Sequence, residues 1–461
     1  MDPPTSTPGD PSPAVTLPRA PVRTVGQWVL LGALVGIAAG VASAVFLLSL
    51  ERATAFRLRH GALVWALPLA GLVIGAAYDR WGRSVRAGNN LVIDAVHADG
   101  ARIPLRMAPM VLVGTVLTHL FGGSAGREGT AVQMGASLAD AIVQRLGLRG
   151  PLRQQLLAAG IAGGFGAVFG TPVAGTVFGM EVVCIGQMEY DALLPALVAA
   201  VVGDLTTRRL GVVHTVYPRV AAVPLTVGLA GRWLLFGLAV AAVAVAFVEL
   251  THRLKALMER AIPAAPLRTL AGGAAVVALW RLVGTGDYLG LGVPTILRAF
   301  RDSSVPWYAF ATKLVFTSVT LASGFPGGEV TPLFFIGATL GNTLGRGLGI
   351  PLDLAAGVGL AALFGAAANT PFALSVMAVE ILGGNVFPHV VIVAVVAYLA
   401  SGHRGIYPAQ RILGSKWGGA RRQGAIPLRD LDRPPAGTGG DHPADGGSTA
   451  GSSRASRRSE A

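Results

Sequence analysis

Charged residues are scarce in this chain of 461 residues. They make up 13% of the sequence and hydrophobic residues 52%, whereas a soluble domain usually carries about 25% charge. The mean hydropathy is +0.59. Apolar runs of roughly 20 residues recur along the chain, as expected of membrane-spanning helices. This composition excludes an ordinary soluble protein and predicts an all-α, multi-span membrane protein.

Cysteine is nearly absent as well. The only one, Cys184, cannot form an internal disulfide, and we interpret it as a small buried hydrophobe. Residues 1–24 lack the charged and apolar regions of a cleavable signal peptide. Neither an HExxH nor a P-loop sequence occurs, and no metal and no cofactor is predicted.

Acidic residues are fewer than basic ones, 24 against 37, which gives a net charge of +13. Such an excess is common in nucleic-acid binders, but here the basic residues lie mostly in loops and tails. No nucleic-acid motif accompanies them. Orientation in the membrane and contact with anionic lipid explain them better. The sequence therefore predicts a lipid bilayer as its surroundings and no nucleic acid as a partner.

Composition divides the chain into two tails and a membrane region. Residues 1–24 predict a disordered N-terminal arm, and residues 416–461 predict a basic, low-complexity C-terminal tail. Between them we predict two membrane repeats, 25–215 and 216–415. Several of their apolar runs are too short or too glycine-broken to cross about 30 Å of hydrocarbon. We expect these broken helices inside the protein, beside a polar cavity.

An internal repeat organises the membrane region. Residues of the first half recur in the second half in unbroken order, at an offset of about 200 residues. Two similar halves with broken helices at matching positions indicate a binding site where the halves meet. The residues alone leave open whether the halves are inverted. The matched pairs include Trp28 with Trp233, Gly126 with Gly327, Glu128 with Glu329, Thr130 with Thr331, Gly135 with Gly337, Phe165 with Phe364, Pro172 with Pro371, and Glu181 with Glu380.

The segment GGSAGREGTAVQMGASL, residues 122–138, carries the main functional signal. Its glycines suit a turn that leaves backbone N–H groups free at a helix N-terminus, here at Gly129 and Thr130, and such an end attracts anions. Buried in apolar surroundings, Glu128 is a functional candidate. We predict that Glu128 competes with an anion when ionised and leaves when protonated. A structural, neutral glutamate is the alternative, and Arg127 is interpreted as an ion-pair partner.

The second repeat supplies a matching helix start in GFPGGEVTPLFFIG. Pro332 suits the first turn of a helix, where its missing N–H costs nothing. We therefore expect the amides of Val330 and Thr331 to face the same anion from the opposite half. Symmetry alone does not decide whether Glu128 or Glu329 is the gate.

Further polar residues have two interpretations each. Asn89 and Asn90, in AGNNLVID, could offer amide N–H donors to a small anion, or could form an ordinary helix cap. Tyr407, in GIYPAQ, brings a phenol donor, or serves as an interfacial anchor. Glu181 and Glu380 are interpreted as packing or helix-end residues rather than proton stations.

Residues 122–126 also match G-x-S-x-G, with Ser124 at its centre and His119 nearby. An intramembrane serine hydrolase is therefore a distant alternative. The motif requires a strand–turn–helix context and a third group that orients the histidine, whereas the sequence here predicts helix–loop–helix. We favour a transporter over an enzyme.

From about residue 26 to residue 415 the chain resembles the CLC family of chloride channels and anion/proton antiporters. GREGT, residues 126–130, is similar to the family's GREGP segment, and GEVTP, residues 328–332, to its GxFxP segment. Tyr407 falls where the family places its pore tyrosine. The resemblance implies two inverted-topology repeats with broken helices, a homodimer in which each subunit has its own pathway, and cytoplasmic termini.

Three departures from the family pattern resemble the fluoride-exporting clade: Asn89 at the serine position of GSGIP, threonine in GREGT, and Val330 at the pore phenylalanine. The resemblance then implies a fluoride/proton antiporter of the bacterial inner (plasma) membrane, a secondary active transporter gated by Glu128. A passive chloride or broad-anion channel is the alternative. The implied anion-binding residues are Asn89, Gly129, Thr130, Val330, Thr331 and Tyr407.

Val182 is a fourth departure. Many chloride/proton antiporters of the family carry a proton-transfer glutamate at this position, immediately after the position of Glu181. If coupling is retained, the resemblance implies that protons reach Glu128 by another route, through water near Thr331.

Overall fold

A computed structural model describes residues 21–97, 102–418 and 424–431. These residues form sixteen α-helices and a three-stranded sheet of two-residue strands. Residues 1–20 of the predicted arm lie outside the described part of the chain. Residues 419–423 and 432–461 of the predicted tail lie outside it as well. The prediction of an almost wholly helical membrane protein is confirmed.

The helices form two sets of eight that match in order and in length. For example, the third helix of each set has 9 and 7 residues, and the fourth has 14 in both. The first set is α1 (Pro21–Arg59), α2 (Leu67–Arg80), α3 (Asn89–His97), α4 (Met107–Leu120), α5 (Glu128–Arg145), α6 (Pro151–Phe169), α7 (Pro172–Glu181) and α8 (Leu193–Arg209). The second set is α9 (Val227–Ala261), α10 (Ala265–Val283), α11 (Val293–Ala299), α12 (Ala309–Ala322), α13 (Val330–Leu348), α14 (Leu352–Ala368), α15 (Pro371–Leu382) and α16 (Phe387–Ala400).

Only some helices are long enough to cross a membrane alone. Five stretches within the described residues qualify by length and composition. Five other apolar helices in this part of the chain have only 10–17 residues, and one of them, α14, is buried along most of its length. Short helices inside the protein fit the prediction, since lipid cannot satisfy free backbone ends. The five stretches are Val25–Arg59, Gly61–Arg80, Tyr190–Arg209, Val227–Ala261 and Ala265–Val283.

Two reciprocal hydrogen-bonded caps fix the relative direction of the repeats. Glu181, at the end of α7, accepts hydrogen bonds from the first amides of α15 at 3.1 and 2.7 Å. Glu380, near the end of α15, accepts from the first amides of α7 at the same two distances. Each helix can cap the other's start only if the two run antiparallel. The repeats are therefore inverted, and both glutamates are helix-end residues, as the sequence indicated.

Glycines bring equivalent helices of each repeat into close contact. A β-carbon at Gly135 of α5 would overlap the carbonyl oxygen of Gly160 on α6. The same overlap would occur between Gly337 of α13 and Gly359 of α14. Small residues allow membrane helices to approach this closely, and here they pack the two central helix pairs of the fold.

The segment after α16 folds back on one face of the molecule. Strands β1 (Cys184–Ile185), β2 (Arg411–Ile412) and β3 (Ile426–Pro427) form the small sheet there. Arg429 donates two hydrogen bonds of 3.0 Å to Asp94 of α3, and this carboxylate raises the pKa of Arg429. The described residues beyond 415 thus pack against the membrane repeats, while the predicted boundary at 416 stays a prediction.

Candidate functional site

The two glycine-rich segments meet at the centre of the molecule. Gly126 and Gly328 form an antiparallel bridge in which N–H of Gly126 donates to O of Gly328 at 2.6 Å, and the reverse bond is 2.8 Å. A β-carbon at Gly126 would lie 2.9 Å from Cδ of Pro332, so a larger residue would push the segments apart. The bridge brings the first residues of α5 and α13 together.

Glu128 lies at this junction and is fully buried. One carboxylate oxygen accepts hydrogen bonds from the amides of Thr331 and Arg127, both 3.1 Å long. The other accepts from the Thr331 hydroxyl at 2.5 Å and lies 3.4 Å from Nε of Arg127. The carboxylate of the first repeat therefore occupies the helix start of the second, the place where the sequence predicted an anion.

A cavity of about 440 Å³ leads toward this junction from the face that carries the sheet. Among the predicted anion-binding residues, Asn89, Thr130 and Tyr407 line it. Glu329 also lines this cavity. The sequence alone had left open whether Glu128 or Glu329 is the gate. Glu128, Gly129, Val330 and Thr331 are outside this lining. The predicted residues thus divide into a group along the cavity and a group around the Glu128 carboxylate.

Glu329 differs from Glu128 in its partners. Its Oε2 is buried and has no hydrogen-bond partner within the described part of the chain. A β-carbon at Gly129 would lie 3.5 Å from this oxygen, so Glu329 is next to the start of α5. A buried carboxylate oxygen without a partner is costly, so Oε2 of Glu329 has acceptor capacity left for a donor.

The two asparagines have different roles. Asn90 Oδ1 accepts a hydrogen bond of 3.0 Å from the amide of Ala409, which fixes the segment bearing Tyr407. Asn89 begins α3, and a β-carbon at Gly129 would lie 2.9 Å from its Nδ2. Oδ1 of Asn89 is buried and has no partner among the described residues. The capacity left at Asn89 Oδ1 is that of an acceptor, whereas Oδ1 of Asn90 is already used by Ala409; only an N–H₂ group of either residue could donate to an anion.

Three cavity residues were missed by the sequence reasoning. Gln133 of α5 lines the cavity beside Asn89, and Lys255 and Arg268 line it from α9 and α10. The sequence signal for Gln133 was its position as a long polar side chain in the apolar run GTAVQMGASL. With Arg86 they make three basic residues against two acidic ones, Glu259 and Glu329, in the lining, and this positive excess suits an anion pathway.

The arrangement excludes a serine hydrolase. The hydroxyls of Ser124 and Thr317 form a hydrogen bond of 3.0 Å with each other. The two ring nitrogens of His119 face the backbone carbonyls of Thr115 and Ala125. Ser124 lies between helices α4 and α5, without a strand before it. The Ser–His hydrogen bond that a nucleophile requires is absent from this described region.

A protein-family model described as "Voltage gated chloride channel" matches residues 70–402 of the chain. The chain belongs to the voltage-gated chloride channel (CLC) family. This CLC chain is 48% identical to the "Chloride/fluoride channel protein" of Pseudomonas syringae pv. tomato, over 85% of its own length and 88% of that protein.

Solved structures agree with the family assignment. A crystal structure of a CLC-type fluoride/proton antiporter superposes with a TM-score of 0.82 at 38% identity, covering 85% of this chain and 99% of that one. The X-ray structure of a slow cyanobacterial chloride/proton antiporter superposes with a TM-score of 0.72 at 18% identity, covering 81% and 94%. The second match shows the CLC fold alone. With these relatives, the protein is a CLC transport protein of the membrane and not an enzyme.

Proposed function

We propose that this protein is a fluoride/proton antiporter that exports fluoride from the cytoplasm, with Glu128 as anion gate and proton carrier. The observation that carries the proposal is the position of the Glu128 carboxylate at the start of α13, held by the amide and hydroxyl of Thr331. A carboxylate and a halide compete for the same donors there. The relatives whose names include fluoride support the choice of anion.

The exchange of fluoride for a proton follows from the change of Glu128 between its ionised and its protonated form. When ionised, the carboxylate fills the helix start and excludes a second anion by repulsion. When protonated, it accepts hydrogen bonds more weakly, so fluoride can take the donors of Thr331 while the neutral side chain turns away. Return of the ionised side chain then displaces fluoride. One proton and one anion thus use the same place at different times.

Proton supply from the cavity side requires a route that does not use position 182. The carbonyl of Val182 accepts a hydrogen bond of 2.9 Å from Gln410, which gives this position a structural role. Glu329 lines the cavity and lies against the start of α5. We therefore place Glu329, with cavity water, between the cytoplasm and Glu128 in place of a route through residue 182.

Asn89 is the proposed determinant of fluoride binding along the cavity. Fluoride is small and strongly hydrated, so it needs short, strong donor bonds after leaving water. The Asn89 amide lies beside Gly129. Its Nδ2 carries two N–H donors and lies against the start of α5, 2.9 Å from where a β-carbon of Gly129 would be.

The test is anion efflux from reconstituted vesicles, with fluoride or chloride inside and pH recorded simultaneously. We expect fluoride efflux to move protons in the opposite direction and to exceed chloride efflux. Glu128→Gln cannot ionise, so it should abolish proton movement. Glu259→Gln, at another acidic residue lining the cavity, is the matched control and should retain it.

Two outcomes would contradict the proposal. Glu128→Gln vesicles that still move protons on a fluoride gradient would remove Glu128 from the proton pathway. Equal chloride and fluoride fluxes without any proton movement would favour the passive channel.

We also propose a homodimer in the bacterial inner membrane. Apolar side chains on α8, α15 and α16 are exposed in the single chain, including Leu197, Phe372 and Val395, and a second copy or lipid would cover them. Chemical cross-linking in vesicles at low protein density should give a dimer band. A monomer at every density would contradict this part of the proposal.

A further inference from the structure

A second cavity lies apart from the one that leads to Glu128. It has a volume of about 830 Å³ and lies between the segment before α4 and the loop that joins α5 to α6. Four arginines line it, and no acidic residue is among its described lining residues. The arginines are Arg102, Arg145, Arg149 and Arg153. We call this cavity the arginine groove.

One of the four arginines has an internal role. Arg153 binds Asp140 of α5 at 2.8 Å and the carbonyl of Ala95 on α3 at 3.0 Å. Both carboxylate oxygens of Asp140 are engaged, because Oδ2 also accepts from the amide of Ile103 at 2.7 Å. Asp140 is therefore not available to neutralise the other three guanidinium groups.

The remaining arginines are exposed and converge on the groove. Arg102, Arg145 and Arg149 form no ion pair with the described residues. Three permanently charged guanidinium groups without a counter-ion among the described residues attract phosphate, which accepts their paired N–H donors. A phosphate-bearing ligand is thus the chemistry that this groove fits.

The rim of the groove indicates where the phosphate comes from. Leu105 and Leu146 have exposed fractions of 44% and 52%, and Leu152 of α6 is exposed nearby. These leucines offer apolar surface beside the charged groups, at the ends of membrane helices. A soluble phosphate compound has no apolar part that could pack on these leucines. A phospholipid presents acyl chains and a phosphodiester together. Basic pockets between helices at the cytoplasmic side of membrane proteins commonly bind such headgroups.

The groove is connected to the anion site through two helices. α5 begins at Glu128 and ends at Arg145, and α3 begins at Asn89 and is held at Ala95 by Arg153. A ligand in the groove would therefore stabilise the far ends of both helices whose first residues form the anion site. The binding itself does not depend on which anion is transported.

We propose that the arginine groove is a binding site for an anionic phospholipid of the cytoplasmic leaflet. The test measures binding of cardiolipin and of neutral phosphatidylcholine to the purified full-length protein by native mass spectrometry. Arg145→Gln/Arg149→Gln should weaken cardiolipin binding about 30-fold, given the usual contribution of each arginine near an anionic headgroup. The double variant Arg80→Gln/Arg260→Gln removes the same charge from exposed positions outside the groove and should bind cardiolipin as the wild type does.

The lipid-binding measurement can contradict both the site and the choice of ligand. No preference of the wild type for cardiolipin over phosphatidylcholine, or equal losses in the two double variants, would overturn the site. Excess pyrophosphate should leave cardiolipin bound. If equimolar pyrophosphate displaces it, the site binds soluble phosphate, and the lipid assignment is wrong. Equal thermal unfolding of both variants verifies that the loss is not a folding defect.

Discussion

Glu128 and Glu329 occupy equivalent positions in the two repeats, yet their surroundings differ. Glu128 is fully buried and receives hydrogen bonds from both repeats. Glu329 reaches the cavity, and its Oε2 has no partner among the described residues. The same duplicated motif thus gives one anchored carboxylate and one that is open to water. The difference arises because Thr331 faces Glu128, while the equivalent Thr130 bonds Thr115 within its own repeat.

In the proposed antiporter, this asymmetry gives the two glutamates different access to protons from the cavity. A perfectly symmetric pair of glutamates would offer the same path to protons from both sides. Here only the second-repeat carboxylate lines the cavity, so the two can act in series.

Among variants other than Glu128→Gln, the largest effect is expected from Glu329→Gln. If Glu329 passes protons from the cavity to Glu128, its loss should lower fluoride-driven proton flux about 100-fold, the usual weight of a positioned proton-transfer group. Fluoride binding, measured by calorimetry, should persist because the donors at Thr331 remain. Unchanged proton flux would show that the two glutamates do not act in series.

Thr331→Val should have an intermediate effect. The substitution keeps the side-chain shape but removes the hydroxyl that donates to Glu128 at 2.5 Å, and a hydrogen bond to a charged group contributes about 1.5–3 kcal/mol. We expect fluoride turnover in vesicles to fall about tenfold. Thr115→Val, which removes the neutral 2.8 Å bond between Thr115 and Thr130, is the matched control and should cost about threefold or less. Equal effects would mean that the hydroxyl has no special relation to Glu128.

The smallest effects on transport are expected from Glu181→Gln and Glu380→Gln. Each variant weakens one of the two reciprocal caps, so each should lower the free energy of unfolding by about 1–2 kcal/mol. Their effects should be similar because the caps have the same geometry. Thermal unfolding in detergent measures the loss, and proton coupling in vesicles should persist. Loss of coupling in Glu181→Gln with normal stability would make Glu181 a proton station instead.

Part of the site could be predicted because its signals are local. The glycines around Glu128 and Glu329 mark helix starts, and α5 and α13 do begin at Glu128 and Val330. The pairing of Glu128 with Thr331 could not be read from spacing, since about 200 residues separate them. The role of Asn90 was similarly hidden, because its partner Ala409 comes from the opposite end of the chain.

A duplicated helical membrane protein with a glycine-flanked carboxylate in each half can be recognised from the order of residues alone. Hydropathy and helix-end preferences depend on neighbouring residues, so the order of residues is enough to reveal them. Three features became visible only in the folded chain: the halves are inverted, Glu128 rather than Glu329 is anchored by the opposite half, and arginines of two loops share one groove. Each of these depends on which distant segments meet, and hydrogen bonds and charges act over a few ångströms in space whatever their separation along the chain.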